Sequence, residues 1–209
     1  MPSDWSMVFV ERFSLSPMSV SGQHADATGN DVTHTFLTHA FLHADWAHLL
    51  LNCFWFYVFA QPLATRFGAG RHAPILQQLS GSFIFLAFFL SAAVLSGFVY
   101  VLINLHTHVA LVGASGAISA VMGAAIRVGL RRFQPGGLEK GRALSILDPK
   151  VLVVTALFVG SNLVILRPAG HFLLLGTEAG QVAWEAHIAG FLYGLIIFSY
   201  FDRLTLSGR

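Results

Sequence analysis

Residues 72–126, HAPILQQLSGSFIFLAFFLSAAVLSGFVYVLINLHTHVALVGASGAISAVMGAAI, contain no Asp, Glu, Lys or Arg between the flanking Arg71 and Arg127. About 20 apolar residues cross a bilayer core, and about 17 suffice for a short or untilted helix. The tract is therefore long enough for two crossings, and Asn104-Leu105-His106-Thr107-His108 reads as the short loop between them. One span is predicted from Leu79 to Leu105 and a second from Val109 to Ile126. Working outward, Ala47 to Ala64 precedes them, while Val151 to Leu166 and Ala186 to Phe201 follow. Pro135-Gly136-Gly137 marks one intervening loop, and Arg167 to Glu185, with Pro168, another. The expected fold class is all-α, a polytopic membrane helical bundle with about five transmembrane helices.

Composition agrees with this class. Of 209 residues, 55% are hydrophobic and 11% charged, against about 25% charged in soluble domains. The length suits one bundle and leaves no room for a sizeable soluble domain beside it. A net charge of +2 does not point to nucleic acid, because the cations cluster in particular loops instead of forming a stripe. Cys53 stands alone in an apolar run, cannot form an intrachain disulfide, and reads as a small core residue. Trp46, Tyr100, Trp184 and Tyr200 lie near segment ends, where interfacial anchors are found.

Short loops rich in lysine and arginine stay on the cytoplasmic side. Arg66 and Arg71 follow the first segment; Arg127, Arg131, Arg132, Lys140, Arg142 and Lys150 follow the third; Arg203 and Arg209 follow the fifth. Arg12 and Arg167 fall on the other side. The first, third and fifth segments are then expected to run from outside to inside, parallel to one another.

Two polar residues open the third and fifth segments at similar depth: Ser115 in Gly113-Ala114-Ser115-Gly116, and His187 in Ala186-His187-Ile188-Ala189-Gly190. A serine hydroxyl becomes a useful nucleophile when an imidazole takes its proton. Small residues recur at helical spacing after each, Ser119 and Gly123 on one helix, Gly190 and Gly194 on the other. Such faces let membrane helices approach closely, which would bring the hydroxyl and the ring together. On the first segment His48 and Asn52, four apart, share a face near the same end. With the Ser115 backbone N–H at the positive end of its helix, they are candidate donors to an oxyanion. A metal site built from His43, His48 and His187 would need more ligands, and no His-Glu-x-x-His helix is present. The Gly-x-Ser-x-Gly elbow of soluble hydrolases is also absent, since residue 117 is alanine.

The motifs His43-x4-His48-x3-Asn52, Gly113-Ala-Ser115-Gly116-Ala117 and Ala186-His187-x2-Gly190-x3-Gly194, in that order, resemble those of the rhomboid intramembrane serine proteases. Arg66-Phe67-Gly68 is similar to that family's Arg-x-Gly at the cytoplasmic end of the corresponding helix. The resemblance spans roughly Thr38 to Phe201, and it implies a rhomboid-like membrane domain at 46–203 preceded by an outer loop region at 1–45. Nothing from Met1 to Ala40 is long and apolar enough to stand for the family's first helix. The resemblance implies Ser115 as nucleophile and His187 as base in a dyad without an acidic third member. It implies His48, Asn52 and the Ser115 backbone N–H as the oxyanion hole. His43, Gly113, Gly116, Gly190 and Gly194 are then structural residues near the site. No cofactor and no metal are expected. The partners implied are transmembrane protein substrates and the lipid bilayer, not nucleic acid. The expected location is a multi-pass position in a bacterial inner (plasma) membrane with the site towards the outer side. The alternative is a non-catalytic rhomboid-like protein that binds transmembrane helices.

Overall fold

The computed structural model describes residues 4–22, 32–70, 73–129, 143–164 and 182–206. The Pro135–Gly137 loop, most of the Arg167–Glu185 loop, and Arg71, Arg131, Arg132, Lys140, Arg142, Arg167 and Arg209 lie outside them. In chain order the helices are α1 (Asp4–Phe13), α2 (Pro17–Val20), α3 (Thr35–Thr38), a 3-10 turn at His39–Phe41, α4 (Trp46–Phe67), α5 (Ile75–Ile103), α6 (Ser115–Val128), α7 (Pro149–Val164) and α8 (Trp184–Leu206). Helices α4, α5 and α8 are long and apolar enough to cross a membrane, and α6 and α7 are shorter apolar helices. Large apolar side chains such as Phe54, Tyr57, Phe83 and Leu157 face outward, as they must where the surroundings are hydrocarbon. Cys53, expected in the core, is among the outward-facing residues.

Local chemistry fixes the helix ends. Asp45 caps α4 by accepting from the His48 N–H at 2.7 Å, and the helix stops at Gly68, whose φ of 100° suits only glycine without strain. The third segment differs from expectation. It was predicted to begin at Val109, but the helix starts at Ser115 and 109–114 runs outside it. Leu111 there pairs antiparallel with Leu15, with N···O distances of 3.1 and 2.8 Å. Main-chain bonds satisfied by another extended segment remove the need for helix, and apolarity alone does not distinguish the two conformations. Tyr100 is likewise no interfacial anchor: it is buried, and its hydroxyl donates to the Val109 carbonyl at 2.9 Å.

Helix α6 is the centre of the bundle, buried along nearly its whole length from Gly116 to Arg127. Its 14 residues span about 21 Å at 1.5 Å per residue, short of the roughly 30 Å hydrocarbon core. Its most extensive packing is against α8. The two backbones meet directly, because a Cβ on Gly190 would collide with the Gly116 carbonyl, one on Gly194 with the Ala120 carbonyl, and one on Gly123 with the Phe191 carbonyl. Gly194→Ala is expected to lower stability by roughly 1–3 kcal/mol, as overpacking does when the obstacle is main chain. The check is the thermal unfolding midpoint in detergent, and an unchanged midpoint would contradict this packing.

At the opposite end from Ser115, α4 and α8 are joined by a two-pronged ion pair. Arg66 Nε meets Asp202 Oδ1 at 2.7 Å, and Nη2 meets Oδ2 at 2.8 Å, with both side chains largely covered. Arg127, buried at the end of α6, donates from Nη1 to the Leu195 carbonyl at 2.6 Å and from Nε to the Leu144 carbonyl at 3.0 Å. Helices α4, α6 and α8 thus run parallel from a common end, and the shorter α6 stops against the middle of α8.

The region before α4 is tied onto the start of α6. Leu15 is fully buried, Thr38 Oγ1 donates to the Phe13 carbonyl at 2.8 Å, and the Gly113 N–H donates to the His39 carbonyl at 2.9 Å. His39 itself is buried, with Nδ1 bonded to the Thr35 carbonyl at 2.9 Å. Burial pushes its pKa below the ordinary 6.5, only partly opposed by the backbone bonds. A folded pKa below the unfolded one means the unfolded chain takes the proton first as pH falls. The contribution is intact above about 6.5 and declines below it until the folded pKa is reached. The midpoint should therefore drop between pH 7.5 and 5, and less steeply in His39→Gln. Equal slopes in the two proteins would remove His39 as the cause.

Candidate active site

The N-terminal ends of α4, α6 and α8, with the last turn of α7, converge on one polar cluster. Ser115 occupies the first helical position of α6, just after Gly113 (φ 111°) turns the extended segment into the helix. The first N–H groups of a helix have no partner within it, so the Ser115 amide and the positive end of the α6 dipole face the same space as its hydroxyl. His187 lies in the first turn of α8, and its Nε2 is 2.8 Å from Ser115 Oγ. The glycine contacts between α6 and α8 begin immediately below this pair, with Gly116 against Gly190.

The other face of the imidazole holds a residue that the sequence reading did not single out. Asn162, buried in α7, places Oδ1 3.0 Å from His187 Nδ1, while its Nδ2 donates to the Phe158 carbonyl at 2.9 Å. One turn away, Phe158 stacks on Phe191 of α8 with centroids 4.3 Å apart. The available signal was an amide inside an apolar segment, near its end, since polar residues inside membrane helices are rare and costly.

From α4, His48 accepts a long bond at Nδ1 from the Ala44 N–H, 3.4 Å away. A neutral ring then carries its proton on Nε2. That nitrogen lies against Gly113, 2.8 Å from where a Cβ would stand, so only glycine leaves the ring its place. Asn52, buried one turn further along α4, donates from Nδ2 to the His48 carbonyl at 2.8 Å, and its Oδ1 has no hydrogen-bond partner among the described residues. An amide nitrogen carries two protons, so one remains for a further acceptor. His43 packs edge-on to His48 with ring centroids 5.2 Å apart, and its Nε2 is buried without a partner among the described residues. Burial first, and the neighbouring His48 ring second, hold its pKa below the ordinary value. Ser119, one turn below the serine, donates to the Ser115 carbonyl at 2.8 Å and is engaged within its own helix.

No group of three or more His, Cys, Asp or Glu side chains arranged to hold a metal ion occurs among the described residues. The arrangement supplies a hydroxyl, an imidazole in contact with it, and N–H donors of three kinds at one end of the bundle. The family model for the Rhomboid domain matches residues 30–203. No curated protein matches the chain.

Proposed function

The chain belongs to the rhomboid family, and from that premise we propose that it is an intramembrane serine protease hydrolysing peptide bonds in or near the transmembrane helices of other membrane proteins. The observation that carries the reading is the 2.8 Å contact between His187 Nε2 and Ser115 Oγ at the mouth of two helices locked backbone to backbone. His187 takes the Ser115 proton as Oγ attacks the scissile carbonyl. The carbonyl oxygen, now negative, receives hydrogen bonds from the Ser115 N–H, His48 Nε2–H and the second Asn52 Nδ2 proton. Collapse of this intermediate sends the His187 proton to the leaving amine and leaves an acyl-serine. Water, deprotonated by the same imidazole, then releases the acyl group. The cation-rich ends of α4, α6 and α8 support an orientation in a bacterial inner membrane with the site towards the outer side. A substrate strand reaches this site only where its own helix has unwound, which favours bonds near a helix end or beside helix-loosening residues.

The test is reaction of the detergent-purified protein with a fluorescent fluorophosphonate, beside Ser115→Ala. Labelling of the wild type that disappears in the variant is the expected result. A wild type that does not label, or labelling that survives the substitution, overturns the protease reading and returns the chain to non-catalytic binding of membrane helices.

A further inference from the structure

We propose that Asn162 is a positioning residue for His187, holding the imidazole in the tautomer whose bare Nε2 accepts the Ser115 proton. This rests on the reading of Ser115 as nucleophile and His187 as base. The argument is one of donor and acceptor polarity along a chain of three contacts. The Phe158 carbonyl can only accept, so the Asn162 group facing it at 2.9 Å is the NH2, and Oδ1 must face the ring. Oδ1 can only accept as well, so the bond of 3.0 Å to His187 Nδ1 requires a proton on Nδ1. A neutral imidazole has one N–H. Nε2, 2.8 Å from Ser115 Oγ, is therefore the acceptor, and the hydroxyl hydrogen points at it. In the other tautomer two lone pairs would oppose each other at Nδ1 and Oδ1, and Nε2–H would point at the serine it should deprotonate.

The surroundings give the amide little freedom to depart from this role. Asn162 is 4% exposed, and its donor is tied to the turn whose Phe158 stacks on Phe191 of α8. The helix that carries the base is thus packed directly against the helix that carries its orienter. When the ring gains the second proton, the Nδ1–H bond to Oδ1 persists and becomes charge-assisted, which stabilises the imidazolium. Ser119 does not serve in its place, because its hydroxyl is committed to the Ser115 carbonyl.

Asn162→Leu keeps the branched shape and removes the acceptor, whereas Asn162→Asp keeps an oxygen that can face Nδ1. The fluorophosphonate labelling rate is expected to fall about 10- to 100-fold in the leucine variant, by analogy with the loss of partners that orient metal-bound histidines, and to recover in the aspartate variant. The second readout does not depend on activity: 15N-histidine spectra, with His187 assigned by comparison with His187→Ala. The wild type should show protonated Nδ1 and bare Nε2 at His187, and Asn162→Leu should lose that pattern. Wild-type His187 protonated at Nε2, an unchanged tautomer in Asn162→Leu, or equal slowing in the leucine and aspartate variants would overturn the proposal. If the wild type fails to label, the nucleophile reading falls, while the spectra still decide whether Asn162 orients the ring.

Discussion

Turnover of a fluorogenic transmembrane-helix peptide is expected to fall at least about 10⁴-fold in His187→Ala and equally in Ser115→Ala, with the double variant no worse than either. Groups that act as one unit give such non-additive losses, because removing either leaves the other with nothing to do. Among the described residues the His187 ring is within hydrogen-bond distance of two side chains, Ser115 and Asn162. Its removal therefore leaves intact the Gly190 and Gly194 contacts and the Arg66–Asp202 pair that hold α8. The thermal midpoint should stay close to that of the wild type, which separates loss of chemistry from loss of fold. Losses that multiply in the double variant would mean that serine and imidazole act in different steps.

The second large effect belongs to Asn52. Asn52→Ala should lower turnover by about 10²- to 10³-fold, the usual cost of one oxyanion donor, while stability changes by about 1 kcal/mol or less, since its side-chain bond among the described residues is to the carbonyl of its own helix. The buried Oδ1 without a partner is a further reason to expect a small stability change, because deleting an unsatisfied polar atom offsets part of what the amide contributed. The effect should appear in kcat with little change in KM, as expected for a contact made only once the oxygen carries charge. A change confined to KM would place Asn52 in substrate binding instead.

Much of this architecture was legible in the sequence, for reasons that can be stated residue by residue. Ser115 and His187 stood out because each opens an apolar segment, and the small residues at helical spacing behind them indicated which two helices pack. The start of α6 was not legible. Residues 109–114 are as apolar as the helix they precede, and their departure from it depends on Leu15, nearly a hundred positions away in the chain. Asn162 was passed over because it lies within an otherwise apolar segment and its partner ring comes from another helix. Arg127 was read only as a marker of topology, and Arg66 as that and as part of the Arg-x-Gly resemblance. Each also has a structural bond, to Asp202 and to the Leu195 carbonyl, that loop charge counting cannot reveal.

The backbone contact between Gly116 and Gly190 has a mechanical consequence. Side chains between helices act as compressible spacers, since rotamers change and gaps open. Here no side chain intervenes, and the separation of α6 and α8 beside the serine and the imidazole is set by the hard radii of main-chain atoms. Lateral pressure from a thicker or stiffer bilayer can tilt the outer helices or slide them along their axes. It has no soft coordinate along which to press these two closer. The Ser115–His187 pair is gauged by the polypeptide itself, and its spacing should be the same in detergent micelles and in membranes of different composition.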